Sequence, residues 1–459
     1  MLIDDRYLDP IPSQKECALR LYQLVKAEPI ISPHGHVDPA IFSQADYRYA
    51  NPVTALFQTD HYTLRMLYSQ GIPYEAIIYD ENPRSAWQIF ADNYYLFHGT
   101  PSGLWITHLL EIVFGVTEKL QKKTAQTIYD QVQSHLLSDD FTPRKLYDRF
   151  NIEVLATTDE ASAPLTHHQA LRKSGWHGRI IPTFRPDSLF QLQKDGWKEK
   201  IDQLGQLTDL SITGYSSFLE AIEKRREDFK ALGTTAIDIS AETPKTTRLD
   251  LSELERIFES ALKGEVLSHD ADLFTAHMLY EMARMSCEDG LIMQLHPGIF
   301  RNHNPQVYNQ FGKDMGFDIP VPTEFTNNLH ILLNDFGNNQ NFSLILFTLD
   351  ESTYSRELAP LAGAYPCIKI GPPWWFMDSW YGMKRYFEAV METAGIYNTV
   401  GFNDDSRSLL SIPVRHDVWR RASANWLANL LVRGIIDEED AEKMIYQLSG
   451  RLAKSAYRL

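Results

Sequence analysis

The sequence predicts a (β/α)8 barrel that carries a helical insertion after its first strand and further helices at its C-terminal end. Short apolar runs alternate with segments of helical periodicity along the chain, which is typical of parallel strands connected by helices. Each apolar run leads into polar or aromatic side chains of the kinds that bind ligands or catalyse reactions. A barrel with insertions can reach this length as one domain, so we expect a single domain over residues 1–459.

Eight apolar runs are the candidate strands of this barrel. Most of them are continuous rather than alternating, as expected for parallel strands that are covered on both faces. The runs lie at residues 29–32, 153–157, 179–184, 234–238, 291–295, 343–348, 367–370 and 399–403. Helices between the later runs are predicted at residues 215–231, 251–263, 271–285 and 381–393.

The stretch between the first and second strands is much longer than an ordinary connection. Residues 40–150 read as helices, including 85–97 and 117–137, and we expect this insertion to fold over the mouth of the barrel. Residues 415–459 also read as helices, and we expect them to pack outside the barrel.

The composition restricts the classes of partner. Hydrophobic residues make up 44% of the chain and charged residues 23%, so a large core can form. The formal net charge of −16 argues against nucleic acid or an anionic membrane as a partner. A local arginine cluster could still bind a small anionic substrate. No run of residues is long and apolar enough to span a bilayer.

The N-terminus and the cysteines predict a cytoplasmic protein. The first residues, Met1 to Arg6, are acidic and lack the basic start and apolar core of a secretory signal. Cys17, Cys287 and Cys367 are widely spaced, which argues against both a disulfide framework and a cysteine metal site.

The strongest local signal is His34-Gly35-His36, directly after the first strand. Alternation along a strand places residues i and i+2 on one face, so both imidazoles could bind one metal ion. The last strand leads into Asp404-Asp405, and the first and last strands of a closed barrel are neighbours. The pattern therefore predicts a metal site of two histidines and one aspartate. Spacing does not distinguish the two aspartates, of which one is a ligand or base and the other could cap the following turn.

Two arginines are candidates for binding an anionic group. Arg185 follows the third strand and Arg407 follows the eighth, and guanidinium binds carboxylate through two parallel hydrogen bonds. A surface salt bridge is the alternative for each of them. His296 follows the fifth strand and could contact the substrate, orient a metal ligand or belong to the core.

Two further groups are candidates for the substrate site. In Asp60-His61-Tyr62, His61 could hydrogen-bond a substrate hydroxyl, and Tyr62 could carry a proton if a metal or an arginine lowered its pKa. A surface helix turn is the alternative for this motif. Of Trp374 and Trp375, which follow two prolines, we expect at least one in the core, and the other could exclude water from the substrate.

Several longer motifs occur in order along almost the whole chain: Ser32-Pro-His-Gly-His-Val-Asp38, Asp60-His-Tyr62, Thr183-Phe-Arg-Pro-Asp187, Gln294-Leu-His-Pro-Gly298, Phe347-Thr-Leu-Asp-Glu351, Gly371-Pro-Pro-Trp-Trp-Phe376, Gly401-Phe-Asn-Asp-Asp-Ser-Arg407 and Ile412-Pro-Val-Arg-His-Asp417. In these motifs the sequence resembles the uronate isomerases (glucuronate isomerases), a branch of the amidohydrolase superfamily. The resemblance implies a (β/α)8 barrel that interconverts D-glucuronate and D-fructuronate, and often D-galacturonate and D-tagaturonate.

The resemblance also implies roles for individual residues. The metal ligands would be His34, His36 and Asp405, and the ligand aspartate is Asp405 because it immediately precedes the Ser-Arg pair. The residues at the substrate would be His61, Tyr62, Arg185, Arg407 and either Trp374 or Trp375. We also count both tryptophans and His296 among the candidate substrate-binding residues. We expect one divalent metal, with zinc first and manganese as the alternative, and a homo-oligomer. Family members tend to carry Asp-His where this chain has Asp238-Ile239, which leaves the role of that histidine and the substrate preference in doubt.

The expected chemistry is proton transfer between C2 and C1 through a cis-enediol, and a hydride shift is the rival. Asp405, or a water that it activates, would help to open the sugar ring, and Tyr62 or a histidine near the metal would carry the proton. A metal-dependent hydrolase of a sugar-acid lactone or amide is the alternative function. It is disfavoured because the strands do not supply a complete set of ligands for two metals. A sugar-acid binder without activity is the third possibility.

Overall fold

The computed structural model describes residues 2–58, 60–78 and 82–459 of the chain. Residue 1, at the start of the acidic N-terminus, and residues 59 and 79–81, within the predicted insertion, lie outside the described residues. Within the described ranges, no helix is both long and apolar enough to cross a membrane.

Seven parallel strands form the main sheet, and neighbours in the sheet follow the order of the chain. The strands are β1 (Ile30–Ser32), β2 (Ile152–Glu160), β3 (Ile180–Arg185), β4 (Ala236–Ala241), β5 (Ile292–Pro297), β6 (Leu344–Leu346) and β7 (Ile368–Ile370). Sequential parallel neighbours are the arrangement of a (β/α)8 barrel, and the predicted fold class is confirmed. Seven of the eight predicted strands are regular, and their carboxyl ends lie at one edge of the sheet.

The eighth predicted strand is reduced to an irregular segment. It pairs with the end of β7 through a single bridge at Thr399. On the side of β1, the backbone N–H of His36 donates to the carbonyl of Ser406 at 2.8 Å. Positive φ angles at Gly401 (72°) and Asp405 (45°) turn the backbone out of the extended conformation between these two contacts. The barrel is therefore closed by isolated hydrogen bonds and not by a full ladder.

Short helices make up most of the insertion between β1 and β2. They are Ala40–Ser43, Pro52–Leu56, His61–Ser69, Glu75–Ile78, Pro83–Asp92, Pro101–Ile112, Ala125–Leu137 and Pro143–Arg149. Several begin at a residue whose side-chain oxygen accepts a hydrogen bond from the first turn, as Asn51, Asp60, Thr100 and Thr142 do. Such caps satisfy backbone N–H groups that have no partner within the helix.

Two insertion helices differ from the predicted bounds. The helix predicted at 85–97 is divided into Pro83–Asp92 and a 3-10 turn, Tyr94–Phe97. The helix predicted at 117–137 begins only at Ala125. The hydroxyl of Thr124 donates to the carbonyl of Lys119 at 2.7 Å, and this local bond competes with helix formation.

The remaining helices surround the barrel or lie at the ends of the chain. They are Pro12–Val25, Thr166–Ser174, Asp187–Phe190, Trp197–Thr208, Tyr215–Ala231, Leu251–Lys263, Ser268–Asp289, Pro305–Phe311, His330–Phe336, Ala359–Ala364, Trp380–Ala394, Ile412–Val432, Glu438–Tyr446 and Leu452–Ala456. The long helix Ile412–Val432 packs against Pro12–Val25 and against Pro101–Ile112 of the insertion.

The C-terminal residues enter the barrel, so the prediction that 415–459 pack only outside it is wrong. The hydroxyl of Tyr457, which is fully buried, donates to the side chain of Gln294 at 2.8 Å. Gln294 lies two residues before His296 on β5, and alternation places both on the same face of the strand. Ala453 packs against Ile31 and other residues of the first strands. The last residues of the chain therefore fill the barrel on the side opposite the polar strand ends.

A buried carboxylate links the N-terminus, the insertion and the helix Ile412–Val432. Asp417 accepts hydrogen bonds from Arg6 and Arg421, each at 2.9 Å, and from the hydroxyl of Tyr22. His108 of the insertion lies 3.2 Å from the same carboxylate. Burial alone would raise the pKa of Asp417, but the hydrogen bond with His108 and the charge of Arg421 lower it below the usual range.

We expect Asp417→Asn to lower the free energy of unfolding at neutral pH by about 2 kcal/mol, because hydrogen bonds to a buried charge are lost. A lowered pKa stabilises the fold above the ordinary aspartate pKa of about 3.9, and this stability is lost as the pH falls below that value. Urea titrations from pH 3 to 7 would therefore show a shallower acid limb in the variant. Asp139→Asn, at an exposed ion pair with Arg48, is the control and should leave the limb unchanged.

Candidate active site

A cavity of about 1050 Å³ lies at the carboxyl ends of the strands, and side chains of the insertion contribute to its wall. Its lining contains all of the site residues predicted from the sequence: His34, His36, His61, Tyr62, Arg185, His296, Trp374, Trp375, Asp405 and Arg407. The structure therefore brings these residues together, although they come from five different strand ends and from the insertion.

His34, His36 and Asp405 form a cluster that could hold a metal ion. The Nε2 atoms of His36 and His34 lie 3.1 and 3.5 Å from Oδ1 of Asp405, and the two imidazole rings meet edge to face. Burial alone would raise the pKa of Asp405, but the two histidines hold it below the usual range. Asp405 is therefore an ionised carboxylate at neutral pH, as a metal ligand must be.

A bound cation explains the arrangement of the donor atoms in this cluster better than hydrogen bonds among the three side chains do. Oδ1 of Asp405 is buried and has no hydrogen-bond partner among the described residues, despite its two imidazole neighbours. Imidazole nitrogens and a carboxylate oxygen form the usual donor set for zinc, and three protein ligands leave a position open for substrate. The φ angle of 45° at Asp405 is unfavourable for a residue other than glycine, and such strain is concentrated at functional sites.

Asp404, which immediately precedes Asp405, makes different contacts. The carboxylate of Asp404 lies 3.1 Å from Nε2 of His416 and accepts a hydrogen bond from the N–H of Ser406, also at 3.1 Å. Asp404 thus caps the turn that presents Asp405, and it anchors that turn to the helix Ile412–Val432. A Cβ atom at Gly35 would lie 3.3 Å from the carbonyl oxygen of Ser406, so glycine permits the close approach of the two ligand-bearing segments.

A second potential cluster contains His34, Asp238 and His296, but its carboxylate is already paired. Oδ1 of Asp238 lies 2.7 Å from Nδ1 of His296, and Oδ2 lies 3.3 Å from the guanidinium of Arg185. A second cation would lie beside a guanidinium and share His34 with the first. The geometry therefore favours a single metal ion.

His296 presents one ring nitrogen to the cavity. Asp238 engages its Nδ1, and its Nε2 is buried without a hydrogen-bond partner in the described part of the chain. The ring stacks between Phe347, at 3.9 Å, and His34, at 4.9 Å, and burial lowers the pKa of His296. Of the three interpretations left open by the sequence, the unsatisfied nitrogen disfavours a core histidine whose polar atoms are all paired. Ile239, the next residue after Asp238, is buried in the main hydrophobic core.

The two candidate arginines differ in how strongly they are already paired. Arg185 donates to Asp187 at 2.9 Å and also contacts Asp238, so two carboxylates neutralise its charge. Arg407 has a long contact of 3.4 Å with Asp314, and its side chain is 38% exposed. Arg407 is therefore the guanidinium that is more available to an incoming carboxylate.

His61 and Tyr62 begin the insertion helix that lies over the cavity. Their polar atoms differ in whether they have hydrogen-bond partners. Burial and the nearby Arg407 lower the pKa of His61 to about 3, so its ring is neutral. Its Nε2 is buried, with no hydrogen-bond partner among the residues described. The hydroxyl of Tyr62 donates to Asp378 and accepts from the N–H of Phe376, each at 2.7 Å.

Among the described residues, the contacts of Tyr62 shift its pKa in the direction opposite to the one that the sequence hypothesis requires. Burial, followed by the charge of Asp378, raises the pKa of Tyr62 well above its ordinary value. Arg415 opposes this shift but is itself paired with Asp378. A phenol in this environment stays protonated, whereas the proton carrier envisaged from the sequence needed a lowered pKa.

The two tryptophans of the loop after β7 divide as the sequence suggested. Trp374 is buried, and its indole N–H donates to the carbonyl of Thr348 at 3.0 Å. Trp375 is half-buried beside His61, with the guanidinium of Arg301 above its ring at 5.6 Å. Trp374 therefore packs in the core at the cavity floor, whereas Trp375 forms part of the wall.

The charged residues that line the cavity and that the sequence did not single out include four that matter for the site: Arg301, Asp314, Asp378 and Arg415. Arg415 lies within a motif of the family resemblance, and this was the only sequence signal for any of the four. Asp314 and Asp378 lie in loops without periodicity, where spacing gives no information about which way a side chain points.

Comparisons with known proteins match this chain over its whole length. A family model described as glucuronate isomerase matches residues 2–455. The uronate isomerase of Nostoc punctiforme is 50% identical over 466 residues, covering 100% of this chain and 98% of the relative. The uronate isomerase of Rhizorhabdus wittichii is 48% identical, covering 99% and 98%. The crystal structure of glucuronate isomerase from Caulobacter crescentus has a TM-score of 0.98 at 45% identity, covering 100% of this chain and 97% of that chain.

Proposed function

The chain belongs to the glucuronate isomerase family, and we propose that it interconverts D-glucuronate with D-fructuronate and D-galacturonate with D-tagaturonate. The observation that carries this proposal is the cluster of His34, His36 and Asp405 beside a weakly paired Arg407 in one cavity. Full-length similarity to uronate isomerases supports an isomerase over the metal-dependent hydrolase. The pairing of Asp238 with Arg185 supports the same choice, because it disfavours a second metal.

His34, His36 and Asp405 would hold one divalent ion, with zinc proposed first and manganese second. When bound, the ion supplies a Lewis acid that polarises substrate oxygens. The nitrogen donors support zinc, and both metals accept the carboxylate oxygen. We also propose that the chain forms a homo-oligomer.

We assign the C6 carboxylate of the substrate to Arg407. Its guanidinium can form two parallel hydrogen bonds with a carboxylate once the long contact with Asp314 is exchanged. Arg185 instead orients Asp238, which in turn fixes the ring of His296. The free Nε2 of His296 and the ring of Trp375 then contact the sugar hydroxyls and its apolar face.

The proton transfer is assigned to His61. Its neutral ring has an unpartnered Nε2 in the cavity wall, which can remove the proton from C2 of the open-chain sugar and return it at C1. One hydroxyl proton moves in the same sense, from the oxygen on C2 to the oxygen on C1, so the product is an isomer of the substrate. Asp405, which is ionised, is the proposed base for opening the sugar ring.

Proton NMR in D2O tests both the function and the route of the hydrogen. We expect the metal-loaded enzyme to form a ketouronate from D-glucuronate and from D-galacturonate, and the C2–H signal of the aldose to disappear at equilibrium as solvent deuterium enters. If ketouronate forms but the transferred hydrogen is not replaced by solvent deuterium, the result would indicate a hydride shift. If neither uronate is converted, the proposed function is wrong.

A further inference from the structure

A buried ion pair lies directly behind Tyr62. The guanidinium of Arg415 donates to one carboxylate oxygen of Asp378 at 2.8 Å, and Tyr62 donates to the other at 2.7 Å. The side chains of Asp378 and Arg415 are only 9% and 12% exposed. The guanidinium carbon of Arg415 also lies over the ring of Trp105, 3.9 Å from its centre. The pair therefore joins two insertion helices to the loop after β7.

The same guanidinium reaches the segment that carries the metal-ligand cluster. The nitrogen of Arg415 that binds Asp378 also donates to the backbone carbonyl of Asp404 at 3.1 Å. Asp404 immediately precedes Asp405, whose backbone has the unfavourable positive φ. A strained conformation persists only where its surroundings hold it, and this contact is one of the restraints.

We propose that Asp378 and Arg415 are positioning residues that hold Asp405 in its ligand geometry and fix Tyr62 as a tether of the insertion. The inference rests on the proposed function for its catalytic meaning. Tyr62 then links the insertion to the loop of Trp375 through Asp378 and the N–H of Phe376. One ion pair thereby sets both the metal-binding turn and the wall of the cavity.

A purely stabilising role makes different predictions. Burying two charges costs much of what their attraction returns, so a buried ion pair is a weak source of stability. If stability were the only role, a variant would lose thermal stability while the folded fraction kept its zinc affinity. A positioning role changes zinc affinity and turnover, because ligands that are no longer held in place bind metal about 10- to 100-fold more weakly.

Zinc affinity, measured by competition with a chromophoric chelator in the absence of sugar, is the primary test. In Asp378→Asn and in Arg415→Lys, which keeps the charge but not the planar geometry, we expect the zinc dissociation constant to rise about tenfold. We also expect kcat to fall about tenfold with a smaller change in KM. Because the zinc measurement uses no sugar, its result is independent of whether the proposed function holds.

Asp417→Asn is the matched control, since it alters another buried carboxylate pair on the helix that carries Arg415. It should lose stability and keep wild-type zinc affinity. Wild-type zinc affinity in both Asp378→Asn and Arg415→Lys would overturn the proposal. If either variant fails to fold, the other decides.

The variant Tyr62→Phe distinguishes two roles for Tyr62, a tether of the insertion and a proton carrier, because it removes only the hydroxyl. A tether predicts a fall in kcat of less than about tenfold with an unchanged pH profile, whereas loss of a general acid–base group typically costs about 10²- to 10⁴-fold. A loss in the second range would return Tyr62 to the role expected from the sequence and overturn its assignment as a tether.

Discussion

Asp405→Asn should abolish most metal binding and turnover. The substitution keeps the shape of the side chain but removes the only carboxylate of the cluster that faces both His34 and His36. Loss of an outer partner alone weakens metal binding about 10- to 100-fold, so loss of the charged ligand should cost at least about 100-fold in zinc affinity and in kcat/KM. Zinc content after gel filtration, together with uronate turnover, measures both.

The control for this variant is Asp148→Asn. Asp148 pairs with His177 at 2.8 Å, but both side chains are largely exposed. Removing the charge there should leave zinc content and turnover unchanged. Asp405→Asn with wild-type zinc content would show that the cluster is not the metal site, and the assignments of His34 and His36 would fail with it.

The positions of the candidate metal-binding cluster could be predicted from backbone geometry, but the choice of Asp405 over Asp404 came from the family resemblance. His34 and His36 are two residues apart after a strand, and Asp405 follows the segment that neighbours this strand in a closed barrel. Strand alternation and the order of strands fix such positions without knowledge of side-chain packing. The same rules predicted eight strands, of which seven are regular strands of the sheet.

The roles of Tyr62 and the two arginines could not be predicted in this way. They depend on Asp378, Asp187 and Asp314, which contact them from distant loops. Whether a nearby arginine lowers a tyrosine pKa depends on whether a carboxylate already neutralises that arginine. This information is present only in three dimensions. The irregular eighth strand was also missed, since its apolar run gives no sign that the residue after Asp404 will adopt a positive φ.

Because Arg407 is only weakly paired with Asp314, substituting it should have a large effect on substrate binding. We expect Arg407→Met to lower kcat/KM by about 2–3 kcal/mol, or roughly 30- to 150-fold, because a charged hydrogen bond to the substrate carboxylate is lost. Most of the loss should lie in KM, since the C6 carboxylate does not change during the reaction. Initial rates over a range of uronate concentrations measure this.

Asp314→Asn provides the opposite change at the same contact. Asp314 is the partner that Arg407 must release, so removing its charge should leave KM equal to or below the wild-type value while kcat is retained. The paired result, a higher KM for one variant and not for the other, would separate carboxylate binding from general disturbance of the loop. A normal KM in Arg407→Met would transfer the role to Arg185. That outcome would require Arg185 to exchange Asp187 or Asp238 for the substrate, and losing Asp238 would alter the contact that orients the ring of His296.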